Sequence, residues 1–483
     1  MESTFPEAGV IDQPSPACST PPHNPLANPR SNTPLLPKTP VFGGCHLFRH
    51  PVVSVSSLID NDARASFPRR RQSAMNRKSN GTHQWVWTVV VLLWPVALLN
   101  YLDRQMLAAM KTSMVVDIVG LQSDAQWGFV LGSFKWIYAL LSPFAGFIGD
   151  RTSRRHVIGL SLLMWSAATW ATGYVSTYQE LLWARGLMGV SEAFYIPTAL
   201  ALIADFHRGP TRSLAIGIHQ TAIYAGTILG GFAGYVADWP ALGWRTAFLV
   251  CGVVGVAYVV PLMFCLKSPP APAELPEPVS PGSALRELLT NSSFLMMVLY
   301  FTLPALAGWV IRDWMPAILK EQFGLGQGKA GVSAVLYVQL ASFVGAAWGG
   351  WQADRWMRRT ERGRIHVSAI GMLLFLPALF GVGNASSLNM AIGFLLIFGI
   401  GWGFFDCNNM PILCQIVRPE LRATGYGIMN LVSISCGGFA DWGFGALRDR
   451  NVPLNMIFGV FAGLALISVV IVLTIRPSIA SES

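Results

Sequence analysis

Long apolar runs, separated by short arginine-bearing loops, constrain this chain more than any other feature. Val86–Leu99, Val157–Val175, Thr246–Leu266, Met372–Val382, Ala391–Phe405 and Ile457–Ile475 contain few or no charges. A hydrocarbon layer is crossed by about 20 such residues, and several of the runs reach that length with their flanks. Only structures that satisfy their own backbone groups survive there, so runs of this length must be helices. Composition agrees: 52% of residues are hydrophobic and 12% charged, about half the charge of a soluble domain. The fold class expected is an all-α integral membrane protein.

Twelve spans follow at short intervals. The first six are expected at 86–109, 127–149, 157–177, 181–205, 212–238 and 244–266. The second six are expected at 293–318, 329–352, 366–384, 388–413, 423–446 and 454–475. Residues 1–84 are rich in Pro, Ser and Asn without apolar periodicity, which predicts an unstructured lead. They lack the apolar core and small-residue cleavage site of a signal peptide. Met75 opens a short basic stretch before the first span and is expected to be the native start. Two six-span bundles, 85–266 and 293–476, flank a linker at 267–292, and 477–483 form a tail. Six prolines between Pro269 and Pro281 predict that the linker is an extended tether.

The formal charge of +9 belongs to topology, with no sign of a nucleic-acid partner. Arg151, Arg154 and Arg155, then Arg208 and Arg212, Arg355 to Arg364, and Arg418 with Arg422 all fall in alternate loops. That asymmetry predicts both termini on the cytoplasmic side of an inner (plasma) membrane. The seven cysteines show no metal-ligand spacing and read as small buried hydrophobes. No phosphate-binding G-x-x-x-x-G-K-[ST] loop occurs, which argues against ATP-driven transport. No cofactor, metal or enzymatic constellation is expected, and the protein is expected to act as a monomer among membrane lipids.

Two segments recur. Gly146-Phe-Ile-Gly-Asp150-Arg151-Thr-Ser-Arg154-Arg155 ends the second span, and Gly350-Trp-Gln-Ala-Asp354-Arg355-Trp-Met-Arg358-Arg359 ends the eighth. Arg212-Ser-Leu-Ala-Ile-Gly217 opens the fifth span, and Arg422-Ala-Thr-Gly-Tyr-Gly427 opens the eleventh. Halves repeated in one orientation imply a pseudo-twofold axis along the membrane normal, with a solute site between them. The loop, its second copy and the proline-rich tether resemble the major facilitator superfamily, although Ser153 and Met357 stand where that family usually has glycine. The resemblance implies a conformational gate built from Asp150, Arg151, Arg154, Arg155, Asp354 and Arg355. Charge-assisted bonds can form there in one state and break in the other. The plainer alternative is that the arginines only set topology.

Charges inside spans are costly and normally face a cavity or one another. Asn100-Tyr101-Leu102-Asp103-Arg104 lies in the first span, and Arg185 and Glu192 lie two turns apart on one face of the fourth. Arg104 and Arg185 are candidate anion ligands, since a guanidinium binds a carboxylate in bidentate fashion. Asp103 and Glu192 are candidate proton carriers. A buried ion pair serving only helix packing, Arg185 with Glu192 or Asp103 with Arg104, is the alternative. This quartet resembles the anion:cation symporters, whose proton-coupled members carry hexuronates and galactonate. Arg362-Gly-Arg364-Ile-His-Val-Ser-Ala-Ile-Gly371 instead resembles the Spinster-like branch, which shares a similar quartet. The first resemblance leads, so proton-driven symport of a small organic anion is the expectation, with an amphiphilic solute as the alternative.

Tyr101, Gln220, Tyr224, Asn408 and Asn409 are the remaining candidate solute ligands, because each buried hydroxyl of a sugar acid needs a partner. Arg312, Asp313, Tyr337, Gln339 and Asp406 are further polar groups within spans, and His219 reads as a packing residue. Gly226, Gly230 and Gly234, with Gly231 beside them, are spaced for close helix approach.

Overall fold

The computed structural model describes residues 69–207, 211–267 and 280–477. Among these there is no strand, only one isolated bridge between Val119 and Thr177. The first half contains α1 (Arg69–Ala109), α2 (Lys111–Asp117), α3 (Asp124–Arg151), α4 (Arg154–Thr172), α5 (Tyr178–Ala193), α6 (Tyr195–Phe206), α7 (Arg212–Asp238) and α8 (Gly243–Cys265). The second contains α9 (Pro281–Thr290), α10 (Ser292–Phe323), α11 (Gln327–Met357), α12 (Gly363–Gly383), α13 (Leu388–Ile416), α14 (Arg422–Asp449) and α15 (Leu454–Thr474).

Each half supplies six spans. The helix pair α5 and α6 forms the fourth, interrupted at Phe194. Pro197 explains the interruption: it has no N–H to donate and its ring clashes with the carbonyl four residues back, that of Ala193. Among the described residues, nine segments are long and apolar enough to cross a membrane by length and composition alone. The three that fall short, α4, α7 and α14, carry polar residues or stacked glycines and fill out the bundles.

Two segments differ from expectation. Residues 69–84, expected to be unstructured, continue α1 toward the N-terminus. No proline interrupts the chain between Pro68 and Pro95, so nothing breaks a helix that the span has already nucleated. Within the linker, α9 forms where an extended tether was predicted. Pro281 stands at its first position, where the fixed φ favours a helix start. Ala284 and Leu288 are buried, and Glu287 accepts two hydrogen bonds of 2.8 Å from Arg418. The first 68 residues, which hold most of the peptide before Met75, lie outside the described residues.

Hereafter the linker end is the end of the bundles where α3 and α11 finish, and the far end is the opposite one. The halves are tightly joined at the far end. There α3 packs on α14 and α7 on α11, with glycines at the crossings. A Cβ on Gly445 would lie 2.1 Å from the Asp124 carbonyl oxygen, and one on Gly331 2.4 Å from that of Gly231. Gly226 and Gly230 approach α1 in the same way, at the carbonyls of Leu98 and Leu102.

Two aspartates complete this seam by capping helices of the opposite half. Asp449, at the end of α14, accepts from the backbone N–H groups of Asp124 (2.8 Å) and Ala125 (2.9 Å) at the start of α3. Asp238, at the end of α7, accepts from the Gly328 backbone N–H (2.9 Å) at the start of α11 and from the Gln327 side-chain amide (3.1 Å). The backbone N–H groups of Asp124, Ala125 and Gly328 have no partner within their own helix, so each carboxylate satisfies them and meets the positive end of the helix dipole. The exchange is pseudo-symmetric: the fifth span of each half caps the second span of the other. Around it, Lys111 bonds Asp124 at 2.5 Å and Arg448 bonds Glu321 at 2.5 Å.

Candidate functional site

Below the seam the halves diverge around a cavity of about 700 Å³ that extends toward the linker end. Its wall is built from α1, α3, α6, α7, α10, α13 and α14. Tyr101, Arg104, Gln220, Arg312 and Asp406 supply charge and hydrogen-bonding groups. Phe301, Trp309, Trp402, Phe405, Tyr426, Ile428, Leu431 and Ile434 supply a broad apolar and aromatic surface. A recess of about 150 Å³ continues it between α7 and α11, past Tyr224 and Gln339.

The charged quartet is assembled differently from either pairing considered above. Arg104 reaches from α1 to Glu192 on α5, with Nε at 2.6 Å and a terminal nitrogen at 2.5 Å from the same carboxylate oxygen. Its guanidinium also lies 4.7 Å from the Phe134 ring centre, 4.8 Å from Tyr101 and 5.0 Å from Tyr138. Glu192 is fully buried, and its second oxygen makes no hydrogen bond. Asp103 turns the other way and accepts from Thr169 at 2.9 Å. Residues 103 and 104 are neighbours on a helix and point about 100° apart, so they cannot share one partner.

Arg185 departs from the role expected of it. It is buried, stacks at 4.5 Å on the ring of Phe134 that also holds Arg104, and meets the Met188 sulfur at 3.4 Å. It is not part of the cavity wall, because Phe134 and α3 stand between α5 and the space. Asn408 and Asn409 are likewise not among the residues lining this cavity. Asn408 lies about 200° around α13 from Asp406 and turns back to donate to the Phe404 carbonyl at 2.9 Å. Asn409 is two turns beyond Trp402, and its buried amide is covered by packing and makes no hydrogen bond. Tyr101, Arg104, Gln220 and Tyr224 do line the space. His219 is buried against the Tyr195 hydroxyl at 3.0 Å, which fits a packing residue.

At the linker end, the bonds among the described residues run within each half. Arg154 bonds Asp205 and Arg155 bonds the Met263 carbonyl, both in the first half. Asp354 lies 3.8 Å from Arg364, and Arg355 stacks on Trp351 at 5.5 Å, both in the second. The side chains of Asp150 and Arg151 lie outside the described residues. The molecule is therefore closed at the far end, with its cavity reaching toward the linker end.

One cluster went unnoticed in the sequence. Lys135 of α3 bonds Asp313 of α10 at 2.5 Å and, closer still, Asp441 of α14. Its ammonium also lies 4.3 Å from the Trp309 ring. A lone lysine within a span is itself a signal, since such a charge is retained only where it has partners.

Residues 93–440 match the sequence profile of the Major Facilitator Superfamily. Human protein spinster homolog 1 is 32% identical over 387 residues, covering 75% of this chain and 73% of that protein. An MFS-type efflux pump of Mycolicibacterium smegmatis is 27% identical over 373 residues, covering 75% and 84%. Among solved structures, a bacterial homologue of the human lysosomal transporter Spinster, inward-facing and unoccupied, superposes with a TM-score of 0.66 at 20% identity. The match covers 80% of this chain and 95% of that one. A D-xylose–proton symporter gives 0.66 at 15% identity, covering 81% and 98%. The resemblance to anion:cation symporters that led the sequence reading gives way to the Spinster-like one. The chain belongs to the major facilitator superfamily, as a membrane transporter of the Spinster type.

Proposed function

We propose that this carrier moves a lysolipid or a related amphiphilic anion by alternating access, coupled to protons through acids of the first half. The observation that carries the reading is the division of the cavity wall. Charged and amide groups gather at Arg104, Gln220, Arg312 and Asp406, while aromatic and branched residues of α10, α13 and α14 cover the rest. A sugar acid presents hydroxyls all round and leaves each unpaired one at a cost of about 1–3 kcal/mol. An amphiphile asks for polar partners at one end only and gains about 0.8 kcal/mol for each methylene it buries. Sugar-acid symport is the reading this wall supports less, because Asn408 and Asn409 do not reach the space.

Arg104 is the headgroup ligand in this scheme, and it is occupied by Glu192 in the present state. A proton on Glu192 removes its charge and frees Arg104 for a phosphate or carboxylate. Asp103, with one oxygen on Thr169 and the other unpartnered, is the second proton carrier. Arg185 acts from behind Phe134, holding the field of the site without touching the solute. The arginine-bearing linker end faces the cytoplasm.

A thermal-shift screen of the purified protein tests this with lysophospholipids, glucuronate and gluconate at pH 5.5 and 7.5. A ligand at a hundred times its Kd adds about 2.7 kcal/mol to apparent stability. Stabilisation by lysophospholipids, lost in Arg104→Gln, is the expected result. Stabilisation by a sugar acid alone would overturn the reading.

A further inference from the structure

The Lys135 cluster carries a second consequence. Lys135 belongs to the first half, Asp313 and Asp441 to the second. All three are buried, and the Asp441 Oδ1 has no hydrogen-bond partner among the described residues. The cluster lies just inside the far-end seam, where Trp136 donates to the Ser435 carbonyl at 3.1 Å and Gln105 to the Arg312 carbonyl at 3.1 Å. In alternating access the far end opens by moving one half against the other, so α3 must part from α14 at this level. Lys135 then leaves, and the two aspartates stay together on their own half.

We propose that the Asp313–Asp441 pair is a proton-binding site that exchanges Lys135 for a proton when the far end opens. Both carboxylates bond one ammonium nitrogen, so their oxygens lie within two hydrogen-bond lengths of each other. Two carboxylates this close do not both remain ionised without a cation between them. Water entering from the far side supplies the proton to a carboxylate oxygen, and Lys135 stays an ammonium throughout. On reclosure the ammonium returns and the proton leaves into a cavity that now faces the linker end. Each cycle thus carries one proton inward by a route separate from Glu192 and Asp103.

The surroundings agree with this exchange. On α5, Arg185 stacks on Phe134 and meets Met188, and it departs with the first half as Lys135 does. On α10, Arg312 is the adjacent residue, but its guanidinium stacks on Trp309 at 5.0 Å and lines the cavity with Asp406 of α13. From α1, the nearest charged neighbours are Asp103 and Arg104, the latter held by Glu192. The only charged residues on α11 are Lys329 at one end and Asp354 with Arg355 at the other, and α15 has none. None of these replaces Lys135 between the two aspartates.

The test is spin-label distance measurement across the far end, on Val116→Cys of α2 and Met456→Cys of α15, both exposed. The background has its native cysteines replaced by serine and retains uptake. One proton bound in the open state and absent from the closed state changes the open-to-closed ratio by up to about tenfold per pH unit. The ratio is expected to rise as the medium is acidified, also in Glu192→Gln. In Asp313→Asn/Asp441→Asn the pH response should flatten, with the open state favoured at every pH. A response that survives in the double variant, vanishes in Glu192→Gln, or follows sodium in place of pH would overturn the site. Failure of lysophospholipid binding would leave this result unaffected, since no solute is present.

Discussion

The exchanged helix caps give a prediction whose size follows from the geometry. Asp449 satisfies two backbone N–H groups, and Asp238 one, at the start of a helix in the opposite half. Removing such a cap costs about 1 kcal/mol, within a range of about 0.5–2 kcal/mol. Here the loss falls only on the far-closed state, because the capping residue and the capped helix separate when that end opens. Asp238→Ala or Asp449→Ala should therefore raise the open-to-closed ratio about fivefold, and the double variant about thirtyfold if the sites add. Additivity is expected because the two seams, α3 with α14 and α7 with α11, share no partner. The same label pair on Val116→Cys and Met456→Cys reads the ratio. Added salt should shift the wild type toward the open state and move the double variant less, since the dipole contribution is screened. If the single variants leave the distance distribution unchanged while folding normally, the caps do not hold the gate and the argument fails.

Arg104→Gln leaves the fully buried Glu192 without its cation, a loss of about 3–5 kcal/mol while the carboxylate is ionised. Its melting temperature should drop, and Arg104→Gln/Glu192→Gln, which removes the unpaired charge, should recover it, read by thermal denaturation. Gly445→Leu places a side chain against the Asp124 carbonyl and should hold the far end open, measured as loss of uptake with the label distance lengthened. Trp402→Ala and Trp309→Ala each remove an aromatic wall of the cavity and should weaken lysophospholipid binding about tenfold or more, with little effect on Arg104–Glu192. Glu287→Ala breaks an exposed bidentate pair and should change stability by less than about 1 kcal/mol, seen in chemical denaturation.

The spans and their duplication were legible because the physics behind them is local. Apolar length decides what crosses a bilayer, and Asp150-Arg151 with Asp354-Arg355 repeat within strings that anyone can align by eye. The interruption at Phe194 follows from Pro197, but the apolar run around it masks the break in sequence. Pairings were not legible in the same way. Arg104 could have met Asp103 or Arg185 could have met Glu192 by spacing alone; only the folded arrangement, in which Arg104 reaches across from α1 to α5, selects Arg104 with Glu192. Asn409 shows the converse. Its position on α13 shares a face with Trp402, yet neighbouring helices close over it before the cavity is reached. The caps were nearer at hand: Asp238 and Asp449 end the two spans that begin with the repeated Arg212 and Arg422 segments. Extending that repeat to the ends of its helices would have found them.

Depth separates the charges of this molecule into layers with different duties. The caps and the Arg448–Glu321 pair lie at the far surface, where water can replace each lost bond and opening costs little. The Lys135 cluster lies deeper, where a lost partner is not replaced by solvent and a proton is the least costly substitute. Arg104 lies on the cavity wall with Glu192 buried behind it, where the substitute for its partner can be the solute itself. A carrier with only surface pairs would open freely without solute or protons, and one with only buried pairs would hardly open at all. Graded replacement, by water, then proton, then solute, lets each step of opening be met by a different partner. Gating and coupling are in this view one property of the same seam, read at three depths.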